Sequence, residues 1–136
     1  MNSEQIELLV KKYQGIPYLH AGRDLTGLDC LGLAHFFYKD CDIDIPKDDG
    51  EEYSTQWAKK DPERYLRGIL RLGQAAPVDQ LLPLDFVYFR MGRYISHGGI
   101  MVDPQHFIHV LQKTTVHVSP MDWVWKQRLV GARRLL

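Results

Sequence analysis

The order in which two hydrophobic periodicities follow each other constrains the fold of this chain more than any other feature of its sequence. Residues 3–14 and 30–41 carry apolar side chains at helical spacing, whereas residues 86–135 are rich in short β-prone runs separated by turn signals. Helices first and strands afterwards are typical of an α+β domain with an antiparallel sheet. A length of 136 residues suits one domain, so we predict a single domain over residues 1–136.

The individual strands are predicted from the last third of the chain. Asp103-Pro104-Gln105 is a turn signal between two of them, which makes that pair a hairpin. Residues 73–83 contain two prolines and are predicted to form a linker, and two short helices are predicted at 51–60 and 62–72. The predicted strands are 86–89, 95–102, 106–111, 116–118 and 129–135.

The composition bears on which partners and compartments the chain suits. Seventeen basic and seventeen acidic side chains cancel, and this balance gives no sign of a nucleic-acid partner. No run of eighteen apolar residues is present, so no membrane span is predicted. Residues 1–7 are acidic and lack the features of a signal peptide. We therefore expect the protein to stay in the cytoplasm of the cell that makes it, unless a larger assembly carries it out.

Cys30 stands at the start of the second predicted helix, directly after the candidate N-cap Asp29. Unpaired backbone N–H groups and the helix dipole favour the thiolate there, and the thiolate is the reactive form of cysteine. Cys41 lies near the other end of the same helix, about 16 Å away, whereas a disulfide needs Cα atoms within roughly 7 Å. Cys30 is therefore a candidate nucleophile, although a lone cysteine on an apolar helix is more often an inert core residue.

Two histidines fall on the predicted hairpin. If its turn is centred on residue 103, position 97 lies opposite position 109, and opposed side chains share a face with Cβ atoms ~5 Å apart. We therefore expect His97 and His109 to be neighbours. In a cysteine–histidine site, His97 would take the Cys30 proton and His109 would orient the imidazole.

Two alternative roles for these histidines stay open. They could be half-buried strand residues, each with its own hydrogen bond. They could also bind zinc together with Cys30, although that set supplies only three ligands. The remaining histidines are treated as ordinary: His20, His35, His106 and His117.

The candidates lie in four blocks that follow each other along the chain, and the C-terminal Gly-Ala-Arg-Arg at 131–134 adds a fifth match. The blocks are 15–33 around Cys30, 82–89, 95–102 around His97, and 107–110 around His109. Together they resemble the NlpC-type family of bacterial and phage cell-wall cysteine peptidases.

The resemblance implies a reduced papain-like fold, in which a central antiparallel sheet packs against an N-terminal helical part and the nucleophile begins a helix. It implies cleavage of peptidoglycan stem peptides, typically between D-γ-glutamate and the diamino acid, with no metal or organic cofactor. The resemblance assigns the catalytic roles to Cys30, His97 and His109. The Tyr18 hydroxyl would assist the Cys30 N–H group in binding the oxyanion.

Two positions depart from the family pattern. Leu31 replaces a serine that, in some members, holds the free amine of the substrate together with the preceding aspartate, here Asp29. Leu84 replaces the usual glycine before the strand aspartate. Ser96, next to the base, is a further candidate for substrate contact. The Cys-Leu-Gly-Leu sequence is most similar to phage-tail members, which makes tail proteins expected partners.

Other functions remain compatible with the same residues. An amidase or acyltransferase could use the same triad, because the triad does not define its acyl donor. The chain could also be a structural module of a tail or wall that lacks activity. Cys30 precedes His97, which favours the peptidase order over permuted lipid acyltransferases that place the histidine first.

Overall fold

The computed structural model describes residues 1–20, 22–45 and 71–135, which contain three helices and eight strands. The helices are α1 (Ser3–Tyr13), α2 (Cys30–Lys39) and α3 (Trp123–Arg128). The first strands are β1 (Arg23–Asp24), β2 (Gly27–Leu28) and β3 (Gln74–Ala76). The others are β4 (Phe86–Met91), β5 (Tyr94–Asp103), β6 (His106–His109), β7 (His117–Pro120) and β8 (Leu129–Arg134).

Six strands form one antiparallel sheet in the order β3-β8-β4-β5-β6-β7, which confirms the predicted α+β class. Strands β1 and β2 form a separate small hairpin that leads into α2. The helices predicted at 51–60 and 62–72 fall almost wholly outside the described residues. No helix in the described residues is long and apolar enough to span a membrane.

The predicted linker at 73–83 contains a strand, which corrects the prediction. Strand β3 pairs with β8 through Gln74–Arg134, Ala75–Arg133 and Ala76–Ala132. Gln-Ala-Ala has low β-propensity, so this stretch carries no strand signal of its own. The strand forms at the sheet edge because β8 offers it a row of backbone partners.

Side chains alternate between the two faces of the large sheet, as the strand repeat requires. On one face, Phe86, Ile100 and Ile108 pack with the buried side of α2. On the other face, a second apolar cluster contains Val87, Phe89, Met101, Phe107, Met121 and Ala132, with Trp125 of α3 packed against it.

The entry into β4 has a strained backbone that burial holds in place. Leu84 has φ of 74°, a left-handed conformation that favours glycine. Its side chain is buried, and its carbonyl accepts a hydrogen bond from Tyr38 Oη at 2.9 Å. Next to it, the buried Asp85 carboxylate accepts from Arg134 Nε at 2.9 Å and Nη2 at 2.8 Å. These contacts fix the start of the strand despite the missing glycine.

Candidate active site

His97 and His109 meet on one face of the sheet, as predicted. Nε2 of His97 and Nδ1 of His109 share a hydrogen bond of 2.8 Å. Both side chains are buried, with 4% and 0% of their surface exposed. A bond of this length between two buried rings fixes their mutual orientation.

The register that brings the two histidines together differs from the predicted one. Strands β5 and β6 pair Ile100 with Ile108 and Met101 with Phe107, so Gly99, not His97, faces His109. The histidines are therefore diagonal neighbours. A side chain at position 99 would crowd the neighbouring strand, since its Cβ would lie 2.8 Å from Cδ2 of Phe107 and 3.3 Å from Cβ of His109.

A β-bulge decides that both histidines share a face. Next to the turn, Asp103 pairs with His106, and the register then shifts so that Val102 is the extra residue. If the register beside the turn simply continued, His109 would pair with Ile100. A one-residue slip moves a side chain to the other face, so His109 would then lie on the opposite side from His97.

The next strand supplies two more polar side chains to this face. Nε2 of His109 shares a 2.7 Å hydrogen bond with Oγ of Ser119. His117 pairs with His109 across β6 and β7, with ring centroids 4.4 Å apart. His117 therefore lies beside the histidine pair, which the sequence did not indicate, and Ser119 was not identified from sequence. Their alternation at positions 117 and 119 is the one signal that could have placed both on the same face.

Aromatic rings enclose the histidine pair. The ring centroid of Trp125 lies 5.7 Å from that of His97 and 5.0 Å from that of His109. Phe89 stacks on His97 at 5.7 Å, and Phe107 lies 4.4 Å from His109. Helix α3 therefore takes part in the site, which the sequence did not indicate.

These surroundings keep both imidazoles neutral. Burial, followed by the nearby His117 and Arg128, lowers the pKa of His97 to about 3. Burial, followed by His97 and His117, lowers the pKa of His109 to about 2. A neutral ring is the form that can accept a proton, so His97 is in the state that a base requires.

Acidification should lower the stability of the protein. Above the ordinary histidine pKa of 6.5, both rings are neutral in the folded and unfolded states. As the pH falls below 6.5, the unfolded chain binds protons that the folded protein excludes, so stability is lost down to about pH 3. The slope should approach about 1.4 kcal/mol per pH unit for each histidine.

Denaturant unfolding at pH 7 and pH 5 measures this loss. The double variant His97→Gln with His109→Gln should flatten the pH dependence. His106→Gln is the matched control, because His106 is a half-exposed histidine on the same hairpin. An unchanged slope in the double variant would contradict the assignment.

Cys30 begins α2, as the sequence predicted. Asp29 is the N-cap, and its buried carboxylate accepts a hydrogen bond from the Gly32 N–H group at 2.8 Å. Cys30 is half-buried, and no disulfide joins it to Cys41. Burial, followed by Asp40, raises the pKa of the Cys41 thiol to about 11. Cys30 thus begins α2, whereas Cys41 lies just beyond its end at Lys39.

Tyr18 lies in a segment that is bound to both halves of the molecule. Its backbone N–H group donates to the Thr114 carbonyl at 3.0 Å, in the chain that leads into β7. Tyr18 also forms a bridge with Leu28, two residues before Cys30. Its side chain is half-buried.

Ser96 is the extra residue of a second bulge. Strand β4 pairs Phe89 with His97 and Arg90 with Ile95, so Ser96 lies unpaired between them in the strand ladder. It is half-buried. Such bulges redirect side chains and are frequent beside active sites.

The structure joins the two histidines directly, on the face of the sheet that carries Phe89 and Phe107, whereas the buried side of the helix that begins at Cys30 packs on the other face. Helix α2 packs against β5, which carries His97. Within the described residues, no group of three or more His, Cys, Asp or Glu side chains is arranged to hold a metal ion. The zinc alternative therefore finds no ligand cluster in that part of the chain.

Comparison with known protein families shows to which family the chain is related. The sequence profile of the NlpC/P60 family matches residues 15–134, which include every candidate site residue. The chain belongs to the NlpC/P60 family. The family resemblance inferred from the four sequence blocks is thereby confirmed.

Named members of the NlpC/P60 family align with nearly the whole chain. The probable endopeptidase NlpC of Escherichia coli strain K12 is 27% identical over 130 residues, covering 93% of this chain and 73% of that protein. The γ-D-glutamyl-L-lysine dipeptidyl-peptidase of Bacillus cereus strain ATCC 10987 is 38% identical over 131 residues. That alignment covers 93% of this chain but only 34% of the relative.

Solved NlpC/P60 structures share the fold. An NlpC/P60 family protein from Bacillus cereus ATCC 10987 matches with a TM-score of 0.75 and 24% identity, covering 100% of this chain and 41% of that one. RipD of Mycobacterium tuberculosis, described as a non-catalytic NlpC/p60 domain protein, matches with a TM-score of 0.67 and 16% identity. That match covers 98% of this chain and 97% of RipD. The predicted fold is confirmed, and a domain described as non-catalytic shares it.

Proposed function

We propose that this chain is a cysteine peptidase that hydrolyses an amide bond in peptidoglycan stem peptides. The bond is the one between D-γ-glutamate and the diamino acid, in keeping with the substrate named for the Bacillus cereus relative. The observation that carries the proposal is the buried, neutral pair of His97 and His109, joined at 2.8 Å. In the proposed mechanism the pair serves Cys30 as base and orienting group, and no metal or organic cofactor takes part.

The hydrogen bond between the histidines assigns the reacting nitrogen. Nε2 of His97 is engaged by His109, so Nδ1 is the nitrogen that takes the thiol proton. The Cys30 thiolate so formed stabilises the imidazolium and raises the pKa of His97 above that of the isolated pair. Dipoles at the start of α2 favour the same thiolate.

The reaction proceeds through two tetrahedral intermediates. Sulfur attacks the carbonyl carbon, and the resulting oxyanion is held by the Tyr18 hydroxyl and the Cys30 N–H group. His97 gives its proton to the leaving amine, the C–N bond breaks, and a thioester remains. His97 then takes a proton from water, the hydroxide attacks the thioester, and Cys30 leaves as thiolate.

Two further residues are assigned to substrate recognition. Ser96 adjoins His97 in the chain and lies in the bulge of β5. Asp29 carries a carboxylate next to the nucleophile, with Oδ1 bound to the Gly32 N–H group. Leu31 is buried in the core and has no hydroxyl, so position 31 does not bind the free amine of the substrate.

Mass spectrometry of muropeptides tests the proposed activity. Peptidoglycan stem peptides are incubated with the protein, and the masses of the products identify the broken bond. Products cut between D-glutamate and the diamino acid are expected. Stem peptides that remain intact, or that are cut only elsewhere, would contradict the proposed specificity.

Thiol reactivity gives a test that needs no substrate. At pH 6, an iodoacetamide probe should label Cys30 but not Cys41. An ordinary thiol, with a pKa of about 8.5, is largely protonated at this pH and reacts slowly, whereas the proposed Cys30 thiolate reacts. Cys41 is an internal control, since its pKa is raised to about 11. Peptide mapping measures the ratio of labelling. Equal inertness of the two cysteines would contradict an activated nucleophile at position 30.

A structural module without activity is the second candidate. It is favoured by the fold shared with RipD, described as a non-catalytic domain protein. The presence of Cys30, His97 and His109 favours the enzyme. An amidase or acyltransferase would use these same residues on another acyl donor. A panel of stem peptides, acyl-glutamines and thioesters separates these activities from the peptidase.

The biological setting is proposed from the family resemblance. The chain is synthesised in the cytoplasm and acts at the cell wall within a larger assembly, with phage tail proteins as its partners. Co-purification with tail proteins from a producing cell tests this setting.

A further inference from the structure

Three side chains form a hydrogen-bonded row that runs from β5 through β6 to β7. Nε2 of His97 bonds Nδ1 of His109 at 2.8 Å, and Nε2 of His109 bonds Oγ of Ser119 at 2.7 Å. Both nitrogens of His109 are therefore used. A neutral imidazole carries one N–H group, so one nitrogen of His109 donates its hydrogen bond and the other nitrogen accepts.

The place of that proton determines whether His97 can act as a base at Nδ1. With the proton on Nε2, His109 donates to Ser119 and offers the lone pair of Nδ1 to the Nε2–H group of His97. His97 then has an available lone pair at Nδ1. With the proton on Nδ1, His109 donates to Nε2 of His97, which leaves the His97 proton on Nδ1 and removes that lone pair.

We propose that Ser119 is a positioning residue that holds His109 in its Nε2–H form by accepting a hydrogen bond at Oγ. The effect on His97 as a base rests on the proposed function, whereas the tautomer of His109 does not depend on it. Ser119 lies on β7 opposite Phe107, on the same face as His109 and His117. It thus reaches the histidine row from the strand next to β6.

The surroundings of His109 make Ser119 the acceptor of this proton. The His109 side chain is fully buried, and an N–H group buried without an acceptor costs about 1–3 kcal/mol. Ser119 Oγ lies 2.7 Å from Nε2 of His109, whereas the neighbouring His117 uses its Nδ1–H group to bond the Thr115 carbonyl at 2.6 Å. Trp125 and Phe107 cover the ring with aromatic surface.

Nuclear magnetic resonance of protein labelled with ¹⁵N-histidine tests the tautomer without a substrate. Long-range ¹H–¹⁵N spectra identify the protonated nitrogen of each ring. In the wild-type protein at pH 7, His109 should be the Nε2–H form, and Ser119→Ala should convert it to a mixture of both forms. A wild-type His109 protonated at Nδ1, or an unchanged single form in Ser119→Ala, would overturn the proposal.

Kinetics on muropeptides test the consequence. Ser119→Ala should lower kcat about 10- to 100-fold with little change in KM, because a positioning group acts on the proton transfer and not on binding. Ser119→Thr retains the hydroxyl and should stay within about 3-fold of wild type. Ser3→Ala, an exposed serine-to-alanine change on α1, is the matched control and should be neutral.

The two measurements separate the possible failures. Equal losses in Ser119→Ala and Ser119→Thr would mean that the residue acts through packing, which overturns the proposal. A wild-type protein that cleaves no muropeptide refutes the peptidase function, while the tautomer still decides the role of Ser119. If Ser119→Ala does not fold, the wild-type spectrum alone decides it.

Discussion

Replacement of Cys30 by alanine should abolish cleavage of muropeptides and leave the fold intact. In the proposed mechanism, sulfur is the atom that forms the thioester, and without it only oxyanion stabilisation and substrate binding remain. We expect kcat to fall by at least about 10⁴-fold. Product formation followed by mass spectrometry, against a blank without protein, measures the loss.

Cys41→Ala is the matched control for this experiment. It removes a sulfur of the same kind just beyond the other end of α2, where the thiol has a raised pKa. Its kcat should stay within about 2-fold of wild type, as expected for a change outside the site. Circular dichroism and thermal unfolding verify that both variants fold. Turnover by Cys30→Ala at the rate of Cys41→Ala would refute the nucleophile assignment.

Replacement of His97 by alanine should cost more activity than the same change at His109. In the proposed mechanism, His97 transfers the proton in each step, and general acid–base catalysis contributes about 10²- to 10⁴-fold. His109 orients His97 through one hydrogen bond of 2.8 Å. Its loss should therefore cost less, about 10- to 100-fold. Initial rates of muropeptide cleavage across the pH range measure both effects.

The ranking of the two histidine variants is the decisive result. A larger loss at His109 would mean that the roles of base and orienting group are exchanged. His106→Gln is the control, because this histidine lies on the same hairpin and bonds the Asp103 carboxylate at 3.0 Å instead of the pair. Its rate should equal that of wild type.

The fold class and the meeting of the two histidines could be predicted from sequence for physical reasons. Helical spacing and strand spacing are properties of neighbouring residues, so their order along the chain is visible directly. The shared face of His97 and His109 was also predicted correctly, although the pairing was wrong by two residues. A shift of two positions keeps the side chain on its face, whereas a shift of one does not.

Other parts of the site depend on interactions that local sequence does not encode. The bulge at Val102 follows from how the whole sheet packs, and no residue pattern marks it. Ser119 and Trp125 reach the histidines only after β7 and α3 have taken their places. Strand β3 forms because β8 provides backbone partners, not because Gln-Ala-Ala favours extended structure.

The short segment at residues 15–18 links the two halves of the molecule mechanically. On one side, Gly15 N–H donates to Val116 O at 2.8 Å and Val116 N–H donates to Ile16 O at 2.7 Å, directly before β7. On the other side, Leu28 N–H donates to Pro17 O at 3.0 Å, two residues before Cys30. Backbone hydrogen bonds thus connect the loop before Cys30 to the chain that leads into β7, the strand next to β6. A change of backbone conformation at residues 15–18 would therefore disturb both the loop before Cys30 and the chain that leads into β7.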